Sequence, residues 1–246
     1  MITTHTKLTL TPTQVPRHSM MTLRTLLIAI LAVLFPTPSS SAQEKDKPAL
    51  SIRALLLAPG GPSMNLHALA TESKKLSGPV LVGARGLSEP LAPGARSFAF
   101  VIPDKSKEDG YRSVASVVLP ETGRDFIILL EPAGQTLKPH VVSAESPRFG
   151  NDSTLFFNAT DVPIGATLGK NKVLVPPRKP VIAEAPQRGE APWFQVTFYE
   201  PKDGQPAMIA NTRWPHRNAS RGYLFFYRSA PSGRISFQAV DETIEK

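Results

Sequence analysis

Hydrophobic residues along this chain fall in short runs, some alternating with polar residues and some unbroken, and nearly every run is closed by Pro, Gly, Asn or Asp. Period-two runs of that length are what a half-buried β-strand needs, and no window sustains the 3.6-residue period of an amphipathic helix. The pattern predicts strands at 52–57, 65–70, 80–83, 97–102, 112–119, 125–130 and 137–143. A second set follows at 154–159, 172–175, 180–183, 193–199, 207–212, 223–228 and 235–240. Phe194, Val196 and Phe198 alternate with Gln195, Thr197 and Tyr199, so one face of that strand is expected to be buried and the other wet. Ile235, Phe237 and Ala239 alternate with Ser236 and Gln238 in the same way. Residues 126–130 and 223–227 are apolar at every position, as expected of central strands covered on both sides. A helical turn over 66–75, capped by Asn65, competes with the strand at 65–70, and the strand pattern is the stronger.

Two stretches look like copies of one another. The segment starting at Arg124 and ending at Ala144-Glu145 matches the one starting at Arg221 and ending at Asp241-Glu242, at a constant offset of 97 residues. Each is an apolar strand, a Pro/Gly turn (132–134 and 231–233) and a closing strand. Leu91-Ala-Pro-Gly and Leu174-Val-Pro-Pro form a further parallel at a shorter offset. The expected fold is therefore all-β, an antiparallel β-sandwich built as two tandem modules at 50–145 and 152–242. One large sandwich is the alternative.

On these closing hairpins and this strand count, residues 50–242 resemble the Ig-like β-sandwich domains carried by many exported bacterial proteins. The Cys and Trp landmarks of antibody-type domains are missing, so the resemblance is architectural. It implies a scaffold or binding module and transfers no ligand-binding residue.

The N-terminal 42 residues read as an extension plus a secretory signal peptide. Arg24 supplies positive charge, Leu26–Phe35 is an unbroken apolar run, and Ser40-Ser41-Ala42 presents small residues for cleavage before Gln43. The run is about half the length needed to span a bilayer, so no permanent membrane anchor is expected. Translation could start at Met1, Met20 or Met21. An organellar transit peptide competes, because residues 1–43 hold Lys7, Arg17 and Arg24 and no acid, but the compact apolar block fits export better. Residues 43–49 form a short tether, and the expected address is the periplasm, the cell surface or the extracellular space.

Composition narrows the chemistry. The net charge of +8 falls to +5 once Lys7, Arg17 and Arg24 leave with the leader, a modest excess that makes nucleic acid an unlikely partner. Cysteine is absent, which removes disulfides and thiolate chemistry from an exported protein. His67, His140 and His216 lie far apart without spaced partners, and no metal or cofactor is expected. No nucleophile elbow, paired-His zinc motif, phosphate loop or dinucleotide fingerprint is present, and the expectation is a protein that is not an enzyme.

Between Asp203 and Asp241 there is no acid, yet there are Arg213, Arg217, Arg221, Arg228 and Arg234. The candidate ligand contact is a loop over 213–221 carrying Arg213, Trp214, His216, Arg217 and Arg221, where guanidinium groups beside an exposed indole could grip an acidic cell-envelope polymer. A carbohydrate-binding or carbohydrate-active sandwich that uses Trp193, Trp214 or surface Tyr as a sugar platform is the second reading, and a structural subunit with a protein partner the third. Pro176-Pro-Arg-Lys-Pro180 reads as an inter-strand crossing. Asn151, Asn158 and Asn218 each begin a glycosylation-acceptor triplet, expected to be silent in a bacterial setting. Neither ligand nor oligomeric state follows from the sequence.

Overall fold

The computed structural model describes residues 50–229 and 232–244, so the leader and tether lie outside the described residues. The described chain folds into β1 (Ser51–Leu56), β2 (Met64–Ala70), β3 (Leu76–Val82), β4 (Ser97–Pro103), β5 (Tyr111–Val118), β6 (Asp125–Ala133), β7 (Thr136–Ser143) and β8 (Ser153–Asn158). It continues with β9 (Ile164–Leu168), β10 (Asn171–Val175), β11 (Val181–Glu184), β12 (Trp193–Lys202), β13 (Gln205–Pro215), β14 (Ser220–Arg228) and β15 (Ile235–Thr243). Every strand except β9 overlaps one that the hydrophobic pattern predicts, and the 66–75 stretch is strand followed by turn, with no helix among the described residues.

The strands form four sheets. The outer ones run β3-β2-β4-β5 and β10-β9-β12-β13, and the inner ones run β1-β6-β7 and β11-β8-β14-β15. The outer orders correspond strand for strand. The closing hairpins share their register too: Phe126 opposes Ser143 and Leu130 opposes Pro139, as Tyr223 opposes Val240 and Tyr227 opposes Ser236. The 97-residue offset in sequence is thus also an offset in pairing.

Pairing is antiparallel apart from β1 with β6 and β8 with β14, which are parallel. In the first half the chain leaves the inner sheet after β1, builds the outer sheet with β2–β5, and returns as β6 beside β1. In the second it leaves after β8, comes back briefly as the edge strand β11 between β10 and β12, and returns as β14 beside β8. A hairpin would force antiparallel pairing, whereas a long excursion of this kind leaves the direction open.

Three apolar layers separate the four sheets. Leu66, Phe98, Phe100, Phe126 and Ile128 fill the first, between β3-β2-β4-β5 and β1-β6-β7. Leu55, Ile127, Leu129, Phe157, Tyr223 and Phe225 fill the middle one, between the two inner sheets. Phe156, Val196, Phe198, Trp214, Leu224 and Phe226 fill the third. Alternate residues of β6 and of β14 therefore feed different layers, which is why these strands can be apolar at every position. Each such side chain contributes about 1.5–3 kcal/mol on leaving water.

β15 departs from the expected alternation. Ile235 is buried and Phe237 packs on the third layer, but Ala239 is exposed, while Gln238 and Val240 are buried on the opposite side. The cause is the inner position of its sheet: both faces of β15 meet protein. Gln238 donates from Nε2 to the Ala84 carbonyl, while its buried Oε1 has no partner among the described residues.

Candidate functional site

The arginine-rich segment is mostly strand. β13 runs to Pro215 and β14 begins at Ser220, leaving a loop of only residues 216–219. Trp214, expected as an exposed indole, points inward and is 9% exposed. It stacks on Phe156 at 6.3 Å and meets Phe194 and Phe198 edge-on or tilted. Its register opposite Phe194, whose inward direction the alternation already gives, forces this orientation.

The charges of the segment are largely spent inside the molecule. Arg217 bonds Asp241 through Nε at 2.8 Å, its backbone N–H donates to Asp152, and its guanidinium lies over Trp214. His216 Nδ1 is 3.1 Å from Asp152 Oδ2, with its ring against Phe194. Arg221 bonds Glu242 at 2.7 Å and the Phe149 carbonyl at 3.2 Å. Asp152, Asp241 and Glu242 thus neutralise the part of the segment expected to grip an acidic polymer. Arg213 is different: it is exposed, makes no ion pair among the described residues, and places its guanidinium 4.4 Å from the Trp193 ring centre.

Comparison with protein-family models and with curated proteins gives no match for this chain. Any functional assignment therefore rests on geometry.

Arg213 and Trp193 lie on the solvent face of the β10-β9-β12-β13 sheet. With Phe194, Val196 and Phe198 buried, period two directs Trp193, Gln195, Thr197 and Tyr199 to the outer face of β12, where Thr197, set between Thr167 and Asn211, is itself buried. Register places Arg213 opposite Gln195, Asn211 opposite Thr197, and Met208 opposite Tyr199. On the other side, Thr167 opposes Thr197 and Gly165 opposes Tyr199. The β9–β10 pairing extends these two rows to Lys172 and Leu174. Asn211 Oδ1 accepts from Gln195 Nε2 and, at 3.4 Å, from Thr197 Oγ1. The face carries an aromatic ring at each end of the Trp193–Tyr199 stretch, with the exposed amides of Gln195 and Asn211 between them. Six residues of strand separate Trp193 from Tyr199, about 20 Å.

Two other polar clusters tie elements together. Between the inner sheets, Glu242 accepts from Arg53, Arg221 and the Tyr223 hydroxyl, and Arg53 also donates to that hydroxyl at 3.1 Å. Burial, helped by the hydrogen bond to Glu242, pushes the Tyr223 hydroxyl up to about 12. Burial opposes ionisation of Glu242, but its hydrogen bonds from Tyr223 and Arg221 and the charge of Arg53 outweigh that and hold its carboxyl below the ordinary range.

His140 is buried on β7. Its Nε2 is 3.0 Å from Glu131 Oε2, and its Nδ1 is 2.7 Å from Arg178 Nη1. Arg178 can only donate, so Nδ1 accepts, Nε2–H donates to Glu131, and the ring is neutral. Burial, with the charges of Arg178 and Lys138, lowers its pKa from 6.5 against the pull of Glu131. The unfolded chain therefore binds the proton more readily than the folded one. Stability is complete above pH 6.5 and declines as pH falls from there towards the lower folded value. Urea unfolding of the protein and of His140→Asn from pH 8 to pH 5 should show this decline in the former and a flatter profile in the latter. An unchanged slope in the variant would place the proton uptake elsewhere.

Asn158 shows why a sequence triplet can mislead. It is fully buried, and both hydrogens of its amide are used, on the Val162 carbonyl at 2.7 Å and the Val175 carbonyl at 3.1 Å. Its Oδ1 accepts from the Thr160 N–H and hydroxyl. The Thr that completes the triplet serves the turn. Nearby, residues 176–180 cross between β10 and β11, with Pro177 bridged to Asn158.

Proposed function

We propose that this is an exported, non-enzymatic binding protein of the periplasm or cell surface whose contact surface is the solvent face of the β10-β9-β12-β13 sheet, and whose ligand is a polysaccharide chain of the envelope. One observation carries the reading. Trp193 and Tyr199 stand on the same face of β12 with the exposed amides of Gln195 and Asn211 between them, while the arginines of the neighbouring loop are neutralised from within. Aromatic faces stack on sugar rings, and short amide and hydroxyl side chains supply directional hydrogen bonds. An open face suits a polymer that extends past both ends, whereas an enclosed pocket suits a small molecule. The two runs of strands, with matching order and hairpin register, fit a duplicated Ig-like unit in which this outer face has acquired a ligand and its counterpart on β3-β2-β4-β5 has diverged.

Trp193→Ala and Tyr199→Ala should each weaken retention of the full chain by immobilised envelope polysaccharide in affinity electrophoresis by about tenfold. Both side chains are at least partly exposed, so the melting temperature should stay close to that of the parent. Retention unchanged in both variants overturns the reading.

A further inference from the structure

The same face carries a charge pattern that selects among polysaccharides. Its outward rows contain Lys172 at one edge and Arg213 at the other, and no carboxylate at any outward position of the rows through Tyr199, Thr197 and Gln195. Arg213 stands out from the other arginines near it: Arg217 and Arg221 are consumed by Asp241 and Glu242, whereas Arg213 is exposed and makes no ion pair among the described residues. Its guanidinium lies over Trp193 at 4.4 Å, which fixes the planar fork beside the ring on which a sugar would stack, while 40% of Trp193 stays exposed. A guanidinium placed there can present paired N–H groups that match a carboxylate. Lys172 lies three strands away on the next row, beside Thr167, so the two cations sit on opposite flanks of the aromatic line along β12. Between them, Gly165 leaves the flank of Tyr199 bare: a Cβ there would stand 3.9 Å from that of Tyr199.

We infer that the occupant of this face is an acidic polysaccharide, a chain of uronic-acid sugars, with Trp193 and Tyr199 stacking on its rings and Arg213 and Lys172 pairing with its carboxylates. The inference rests on the platform proposed above and adds the charge of its ligand. Charge complementarity favours it over a neutral glycan, since a surface with two cations and no acid gains from every carboxylate brought to it. It also relocates the acid-binding property, which the sequence suggests for the 213–221 loop, to the one arginine of that segment that makes no ion pair among the described residues.

The test uses the full chain with two soluble polymers that share a backbone: polygalacturonate, and the same polymer fully methyl-esterified so that its charge is removed. Titration calorimetry at low and high salt should give about tenfold tighter binding to the charged form, narrowing as salt rises. Arg213→Gln should remove most of that preference. Trp193→Ala should weaken both polymers alike. Equal affinity for the two polymers, with no effect of Arg213→Gln, overturns the acidic-ligand inference and leaves the platform standing. Binding to neither polymer, or binding insensitive to Trp193→Ala, overturns the platform and the inference with it.

Discussion

Replacing Asn158 with Ala should lower the unfolding free energy by about 2–4 kcal/mol, a large fraction of the stability of an ordinary domain. The side chain is fully buried, and its amide joins the Val162 and Val175 carbonyls to the Thr160 N–H across the turn after β8. Truncation leaves the Thr160 N–H without an acceptor and strips one donor from each carbonyl, in a place water cannot reach. Asn158→Asp makes a sharper test, because it keeps the shape. Its carboxylate would still accept from Thr160, but its second oxygen would face two carbonyls where a donor belongs. That variant should be at least as unstable as the Ala variant at neutral pH and should recover in part as pH falls and the acid is protonated. Denaturant midpoints for the three proteins at pH 7 and pH 4.5 decide the matter, and a midpoint for Asn158→Ala equal to the parent's would contradict the assignment.

Glu242→Ala should cost a comparable amount, about 2–4 kcal/mol, below the full range for a buried pair because the carboxylate is a quarter exposed. It is the shared acceptor for Arg53, Arg221 and Tyr223, so its loss strands two cations and a hydroxyl at the rim of the middle layer. Glu242→Gln keeps the shape without the charge and should fall between the two. The pH dependence follows from the depressed folded pKa. Stability from this carboxylate is complete above its ordinary value of 4.5 and is lost as pH falls through the lower folded value. The gap between the parent and the Ala variant should therefore be constant above about pH 5 and should close on further acidification. A gap independent of pH would mean that packing, and not charge, is what Glu242 supplies.

Much of the architecture can be read from the pattern of residues. Period two at 194–199 and solid apolar runs at 126–130 and 223–227 distinguish half-covered from fully covered strands, and the structure agrees except at Thr197, which is buried on the face expected to be wet. β9 escaped because its alternating Ile164, Ala166 and Leu168 are set among Pro163, Gly165 and Gly169, which read locally as a turn. The candidate site was half visible. The outward direction of Gln195, Thr197 and Tyr199 follows from the strand itself. The arrival of Arg213 and Asn211 beside them depends on the β12–β13 register, which includes a bulge between Phe198 and Tyr199, and no local signal sets that pairing. The misjudged residue, Trp214, fails for the same reason: beside three arginines it looks like a loop indole, and only its partner Phe194 shows which way it turns. The partners of Arg217 and Arg221 lie far along the chain, at Asp241 and Glu242, so composition alone could not reveal that those charges are balanced.

The middle apolar layer means that the peptide connection between β7 and β8 is the lesser of the two ties between the first seven strands and the last eight. Ile127 and Leu129 on one side, and Tyr223 and Phe225 on the other, would each face water if either set of strands stood alone. A protease that nicked the segment at 145–151 would find its two products still clasped, and a gene split there would yield fragments with a strong reason to reunite. Each set of strands is in this sense the other's missing wall.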